Sequence, residues 1–197
     1  MIPIYRIRDG RESLKNNQAV FDRCSELLIQ KDAILMFPEA NHNLKRRVRP
    51  LSKGFTRILF NTLDKAASTD IQIVPVGINY RDAVSFPDKV ALYFDTPIAV
   101  NGMYDPQDEK GSVDRIKEVV SSRLKKLTTH IEDENSYEET IKQLDTLDVD
   151  YLNPTEVNQT LRNLDSSKIQ NKGNSSFSAG LARGIFNILN FPIVVLW

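Results

Sequence analysis

The sequence predicts an α/β domain with a mostly parallel sheet flanked by helices, followed by a helical C-terminal extension. Over the first hundred residues, apolar runs of strand length alternate with segments of helical periodicity. One run, residues 33–37, is apolar throughout, which is typical of strands covered on both faces. Beyond Gly102 only helical periodicity remains, so the extension is expected to contain helices alone.

The elements of the first hundred residues follow from the spacing of their apolar residues. Apolar runs predict strands at 2–6, 33–37, 71–80 and 89–95, and helical spacing predicts helices at about 14–29 and 55–63. Pro75 cannot donate a backbone hydrogen bond, so the strand at 71–80 is expected to be irregular or to lie at an edge.

Three helices are expected in the extension. Apolar residues recur at helical spacing from 113 to 127 and from 137 to 151. Asn153 suits an N-cap, Pro154 suits the first helical position, and Glu156 follows the cap by three residues. A third helix is therefore expected to begin there. We therefore predict an α/β domain at 1–104, an acidic helical region at 105–165, and a linker with an apolar segment at 166–197.

Composition excludes several classes of function. The 26 basic and 26 acidic residues cancel, so the whole chain carries no charge signature of a nucleic-acid-binding protein. The single cysteine, Cys24, excludes an internal disulfide, and its place on the apolar face of a helix predicts a buried structural thiol. His42 and His130 are too few to build a metal site with it, so we predict no metal.

A local cationic segment is the strongest functional signal. No acidic residue occurs from Ala40 to Leu63, whereas six basic residues do: Lys45, Arg46, Arg47, Arg49, Lys53 and Arg57. A loop that leaves a buried strand and enters a helix is where α/β proteins place anionic ligands. Glu39 directly precedes this segment, and Arg6 follows the first strand. We predict an anion site here, in preference to a merely solvated cationic surface.

Four short motifs then become recognisable in their order: IPIYR at 2–6, FPE at 37–39, SKGFTR at 52–57 and VPV at 74–76. Together they resemble the glycerolipid acyltransferases over residues 2–100. The resemblance implies transfer of a fatty acyl group from acyl-CoA or acyl carrier protein to a hydroxyl of glycerol phosphate or a lysophospholipid. It implies no further cofactor, and a location at the cytoplasmic face of a membrane.

The resemblance also assigns residues. Arg6 and Glu39 match positions that are implied to grip the acceptor, Lys53 and Gly54 resemble the turn that closes this pocket, and VPV resembles a motif that shapes the acyl site. Ala40, Asn41 and His42 depart from the family pattern of Gly, Thr and Arg or Ser. The phosphate-binding arginine is therefore left open among Arg46, Arg47 and Arg49. The expected substrate-binding set is Arg6, Glu39, His42, Arg46, Arg47, Arg49 and Lys53.

One family motif is absent from the sequence. The catalytic histidine of the family is a general base that is followed five positions later by an aspartate. Here Arg47 follows His42 at that spacing, and Asn135 follows His130. The family places the motif upstream of the first strand, so we expect an N-terminally truncated chain that is inactive alone, and we name no catalytic residue. His130 is expected to be a helix C-terminal residue.

Residues 185–197, IFNILNFPIVVLW, carry no charge. A spanning helix needs about 20 apolar residues, so this segment fits the start of a span, an interfacial anchor or a strand packed on the domain. We predict membrane association. The alternative function is a non-catalytic domain that binds anionic phospholipid headgroups. Nucleic-acid binding is disfavoured, because the cationic segment lacks interleaved aromatic residues.

Overall fold

The computed structural model describes residues 12, 15, 17–39 and 43–166. In chain order the elements are α1 (Asn17–Ile29), α2 (Gly54–Lys65), β1 (Gln72–Ile73), β2 (Val76–Tyr80), β3 (Val90–Phe94), β4 (Ile98–Ala99), a 3₁₀ turn (Asn101–Met103), α3 (Glu109–Leu127), α4 (Tyr137–Thr146) and α5 (154–166). The mixed α/β class is confirmed. The predicted strand at 2–6 and the segment 167–197 lie outside the described residues.

The strand ladders differ from the mostly parallel sheet that the sequence predicts. Among the described residues, β1 pairs with β4 and β2 pairs with β3, and both pairs are antiparallel. The physical reason is connectivity, because β3 and β4 return along β2 and β1 as one interrupted hairpin. The strand predicted at 33–37 is not formed, because this segment pairs with no described strand and the isolated bridge beside it joins Glu39 to Leu51. The expectation that it is covered on both faces is also wrong, since Leu35 and Phe37 are exposed.

The predicted irregularity at Pro75 is confirmed, since the proline separates β1 from β2. Ile73 pairs with Ile98, and Val76 pairs with Phe94. The first strand thus advances three residues where its partner advances four, and the extra residue is accommodated as in a β-bulge.

The main core lies between the inner face of the strands and helices α2 and α3. Its buried members include Phe55, Leu59, Phe60 and Leu63 of α2, Val113, Ile116 and Val120 of α3, and Ile71, Ile98 and Val100 beside the short strands. At Gly77 a side chain would collide with the backbone of Leu127, so glycine permits the close approach of α3 to β2. Asn79 Nδ2 donates to the Leu127 carbonyl oxygen at 2.8 Å and fixes the same contact.

The opposite face of the strands is exposed. Met36 and Ile73 pack into the main core, whereas their neighbours Phe37 and Val74 are exposed. On the hairpin, Tyr80, Val90, Leu92 and Phe94 are also exposed, on the face opposite Gly77 and Asn79. No described part of the chain covers this apolar face.

A second core joins α4 and α5 and the segment before them. It consists of Ile131, Tyr137, Leu144, Val157 and Leu161. The predicted start of α5 is confirmed, because the helix begins at 154 and Asn153 Oδ1 accepts from the Glu156 backbone N–H at 3.4 Å. Helix α3 packs into the main core although it follows the predicted boundary at 104. In the described part of the chain, no helix is both long and apolar enough to cross a membrane.

Candidate anion-binding site

The site lies where residues 38–39 contact residues 51–52 in the middle of the cationic segment. Glu39 is bridged to Leu51, and the Ser52 backbone N–H donates to the Pro38 carbonyl oxygen at 2.8 Å. This contact holds Glu39 beside Arg49, whose Nε lies 3.5 Å from Glu39 Oε2. Two of the residues predicted to bind substrate are therefore adjacent, and both side chains are partly exposed.

The Arg49 guanidinium has an unused donor. Its Nη2 is inaccessible to water and has no hydrogen-bond partner among the described residues. A buried donor without a partner costs about 1–3 kcal/mol, and an arginine fork suits two oxygens of one anion. Glu39 pairs with this fork at Nε, whereas Nη2 is closed to water and donates to no described residue.

Arg46 is used differently. Its Nη1 donates to the Tyr80 carbonyl oxygen at 2.9 Å and its Nη2 donates to the Arg81 carbonyl oxygen at 2.8 Å. The guanidinium also lies 3.7 Å from the centre of the Tyr151 ring. The Arg46 backbone N–H donates to the Tyr137 hydroxyl at 2.8 Å. Arg46 thus joins the end of β2 to the second core.

Lys45 and Arg47 pair with one acidic residue of the helical region. Lys45 Nζ lies 3.7 Å and Arg47 Nη1 lies 3.1 Å from the carboxylate of Glu134. Partly exposed ion pairs of this kind contribute about 0–1 kcal/mol each. Of the three arginines that the sequence left open, Arg49 alone retains a buried donor without a partner among the described residues.

His130 fastens the same loop. The Val48 backbone N–H donates to its Nδ1 at 3.0 Å, and its Nε2 lies 2.7 Å from Glu132 Oε2. Since Nδ1 accepts, the proton of the neutral ring is on Nε2 and is donated to Glu132. Burial lowers the pKa of His130, and Lys125 and Arg47 lower it further against the opposing effect of Glu132. The residue lies beyond the end of α3 at Leu127 and beyond its C-cap Thr128, so the expectation that it is a helix C-terminal residue is wrong.

Lys53 stands at the start of α2. It is the N-cap residue of that helix, and it lines a recess together with Arg57 and Lys110. Its proximity to Leu51 in sequence keeps it near Glu39. The sequence predicted Lys53 but missed Lys110, because the two are far apart in the chain and no pattern connects them.

Arg6 and His42, the other two predicted substrate-binding residues, lie outside the described residues. Cys24 is buried, as predicted, and its burial raises the pKa of the thiol. A buried thiol with a raised pKa is a poor nucleophile at neutral pH. Within the ranges that the structure describes, no group of three or more His, Cys, Asp or Glu residues is placed to hold a metal ion.

Comparisons with known proteins agree with the motifs. The family model described as Acyltransferase matches residues 1–79. Glycerol-3-phosphate O-acyltransferase 1 of Saccharomyces cerevisiae is 24% identical over 123 residues, which cover 60% of this chain and 16% of the yeast protein. An uncharacterized acyltransferase of Schizosaccharomyces pombe is 25% identical over 85 residues, covering 43% of this chain and 13% of that protein. The matched stretch is thus under a fifth of either relative. No solved structure matches the chain significantly.

Proposed function

Since its first 79 residues match the acyltransferase family and bear out the resemblance of its motifs, we propose that this chain is part of a glycerolipid acyltransferase. The reaction moves a fatty acyl group from an acyl thioester to a hydroxyl of glycerol phosphate or a lysophospholipid. The observation that carries the proposal is the Glu39–Arg49 pair, in which Arg49 Nη2 is buried without a partner in the part of the chain that the structure describes. The yeast relative, a glycerol-3-phosphate O-acyltransferase by name, supports the choice of acceptor.

In this proposal the chain binds the acceptor. The partly exposed Arg49 guanidinium donates to a phosphate oxygen, and Glu39 keeps it in place through Nε. We also propose that the carboxylate of Glu39 accepts a hydrogen bond from an acceptor hydroxyl. The motif resemblance adds Arg6, His42 and Lys53 to the proposed acceptor-binding set. Arg46 and Arg47 support the loop instead of binding phosphate, because both are engaged elsewhere.

Acyl transfer itself needs a base. The acceptor oxygen bonds to the thioester carbonyl carbon, the C–S bond breaks, the thiolate leaves with the carrier, and the hydroxyl proton passes to the base. The sequence offers no histidine with an aspartate five positions later. We therefore propose that these 197 residues alone do not catalyse acyl transfer, and that the base comes from polypeptide outside them.

The donor is acyl-CoA or acyl carrier protein, and no other cofactor is required by this chemistry. We place the reaction at the cytoplasmic face of a membrane, where the lysophospholipid and the fatty acyl product reside. The segment 166–197, which lies outside the described residues except for its first, is proposed to contribute to this membrane association.

The test is an acyl-transfer assay on the chain preceded by its own in-frame upstream coding sequence. The assay compares acyl-CoA with acyl carrier protein, and glycerol 3-phosphate with its monoacyl form. We expect Arg49→Gln and Glu39→Gln each to raise the KM for the acceptor about tenfold, which corresponds to about 1.4 kcal/mol of lost binding. Lys126→Gln, an exposed substitution at the far end of α3, is the matched control.

Unchanged KM and kcat in both site variants would refute the assignment of Glu39 and Arg49. Turnover by the 197-residue chain alone would contradict the proposed need for an external base. If the longer protein transfers no acyl group and has no upstream His-x-x-x-x-Asp motif, the alternative applies, namely a non-catalytic domain that binds anionic phospholipid headgroups. Pelleting with vesicles that contain phosphatidic acid would then test that alternative.

A further inference from the structure

A cationic recess lies between the first turns of α2 and α3. Its lining residues are Lys53, Thr56, Arg57, Glu109, Lys110 and Val113. Three cations thus face one carboxylate. Lys53, Arg57 and Lys110 form no ion pair with a described residue, whereas Lys45, Arg47 and Arg49 each pair with a glutamate. Grouping three unpaired cations is unfavourable unless an anion joins them.

The two helices that meet at the recess begin differently. At α3 the Asp108 side chain accepts from the Gly111 backbone N–H at 2.9 Å, so this helix has a side-chain cap. The N-cap residue of α2 is Lys53, and it makes no side-chain cap. The Thr56 hydroxyl donates to the Lys53 carbonyl oxygen at 2.9 Å. The first-turn N–H groups of α2 therefore have no side-chain cap at the place where the cations gather.

We propose that this recess binds a phosphate ester, as a second anion subsite beside the Glu39–Arg49 pair. A phosphate monoester carries about −1.5 to −2 charges at pH 7, which balances three cations and one carboxylate. Lys53 follows Leu51 by two residues, so their Cα atoms are at most about 7 Å apart. The recess is consequently close enough to the acceptor pocket for one ligand, or two ligands of one reaction, to occupy both.

The source of the phosphate ester rests on the proposed function. The acceptor brings one phosphate, and the carrier of an acyl-CoA donor brings several. Lys110 lies outside the stretch that matches the family model, so the recess combines residues inside and outside that match. The shared chemistry is a phosphate oxygen held by ammonium, guanidinium and backbone N–H groups.

The experiment follows the backbone amides of Gly54, Phe55 and Thr56 by NMR in the ¹⁵N-labelled 197-residue chain. Inorganic phosphate, glycerol 3-phosphate and coenzyme A are titrated separately at constant ionic strength. We expect saturable chemical-shift changes of these amides. In the double variant Arg57→Gln/Lys110→Gln the affinity should be weaker by a factor of about five or more. Lys126→Gln removes one positive charge about 24 Å along α3 from Lys110, as the single variant Lys110→Gln does at the recess, and should leave the affinity unchanged.

The source follows from the ligand that binds most tightly. Preference for coenzyme A assigns the recess to the donor carrier. Preference for glycerol 3-phosphate assigns it to the acceptor, whose single phosphate then contacts both Arg49 and the recess; both results support a phosphate subsite. All three positions are exposed, so the variants should fold, and the charge-retaining pair Arg57→Lys/Lys110→Arg should preserve binding and provide a second check.

Two results would overturn the subsite. The first is an unchanged affinity in the Arg57→Gln/Lys110→Gln variant. The second is binding that disappears in Arg49→Gln and persists in the double variant, which places the phosphate at the Glu39–Arg49 pair alone. The second result leaves the proposed acyltransferase function intact, so the two failures are distinguishable.

Discussion

The cationic segment has two halves, residues 45–47 and residues 49–57, and the cations of the two halves have different partners. In the first half, Lys45 and Arg47 pair with Glu134, and Arg46 is held by two carbonyl oxygens and the Tyr151 ring. In the second half, Arg49 keeps a buried donor that has no partner within residues 12, 15, 17–39 and 43–166, and Lys53 and Arg57 line an open recess. Residues of the same type in one run thus have different surroundings, and we propose that the first half serves the fold and the second half a ligand. Substitutions in the first half should change stability, and those in the second half should change binding.

The largest expected effect on stability is at Arg46. Arg46→Ala removes two hydrogen bonds from a charged donor and a cation–π contact, so the free energy of unfolding should fall by about 2 kcal/mol. Arg46→Lys keeps the charge but loses the planar fork, and should lose about half as much. Urea unfolding followed by circular dichroism measures both changes.

Arg81→Ala is the matched control for Arg46. The Arg81 side chain is exposed and forms no ion pair with a described residue, so its removal should change the free energy of unfolding by less than about 0.5 kcal/mol. Equal effects of the two alanine substitutions would show that Arg46 is not a structural link between the loop and the second core.

The sequence did not predict that the two halves have different partners. Glu134 lies almost ninety residues from Lys45, and the acidic stretch around it has the composition of a solvated helix surface. Its pairing with the loop depends on how the second core packs, which no local pattern encodes. Glu39 and Arg49, by contrast, were predicted together because both follow one strand within a short loop.

The fold shows the same limit. Helical spacing and Pro75 located the helices and the break between β1 and β2, because these are local properties of the chain. The direction of strand pairing was not predicted, because it depends on which segments meet across the sheet. Alternation of apolar residues indicates two faces for each strand, but it does not indicate that the face containing Leu92 and Phe94 is exposed.

His130 holds the first half of the cationic segment through Val48, so the stability that this contact provides should depend on pH. Its pKa is lowered in the folded protein, because burial disfavours the imidazolium and because Nδ1 must stay unprotonated to accept from Val48. The contribution of His130 is therefore fully present above its unfolded pKa of about 6.5, and is lost as the pH falls through the lower folded value. The lost Val48 hydrogen bond is worth roughly 1 kcal/mol.

The measurement compares unfolding of the unsubstituted chain and His130→Gln across pH 7.5 to 5. Their difference in unfolding free energy should narrow as the pH falls. Glu132, whose pKa is lowered by hydrogen bonds from Lys125 and His130, titrates below this range. His42→Gln is the control for the other histidine. A difference that stays constant over the whole range would mean that His130 does not hold the loop through its neutral form.

The smallest effect on stability, and the clearest effect on binding, is expected in the second half of the segment. Arg57→Gln should change the free energy of unfolding by less than about 0.5 kcal/mol, because the side chain is exposed and unpaired within the described residues. Phosphate that binds the folded chain raises its melting temperature in proportion to RT ln(1 + [L]/Kd). The rise with phosphate, relative to sodium chloride of equal ionic strength, should be smaller in Arg57→Gln and unchanged in Arg46→Lys. If the rise is instead unchanged in Arg57→Gln and smaller in Arg46→Lys, the cations of the first half are the ones that bind the anion.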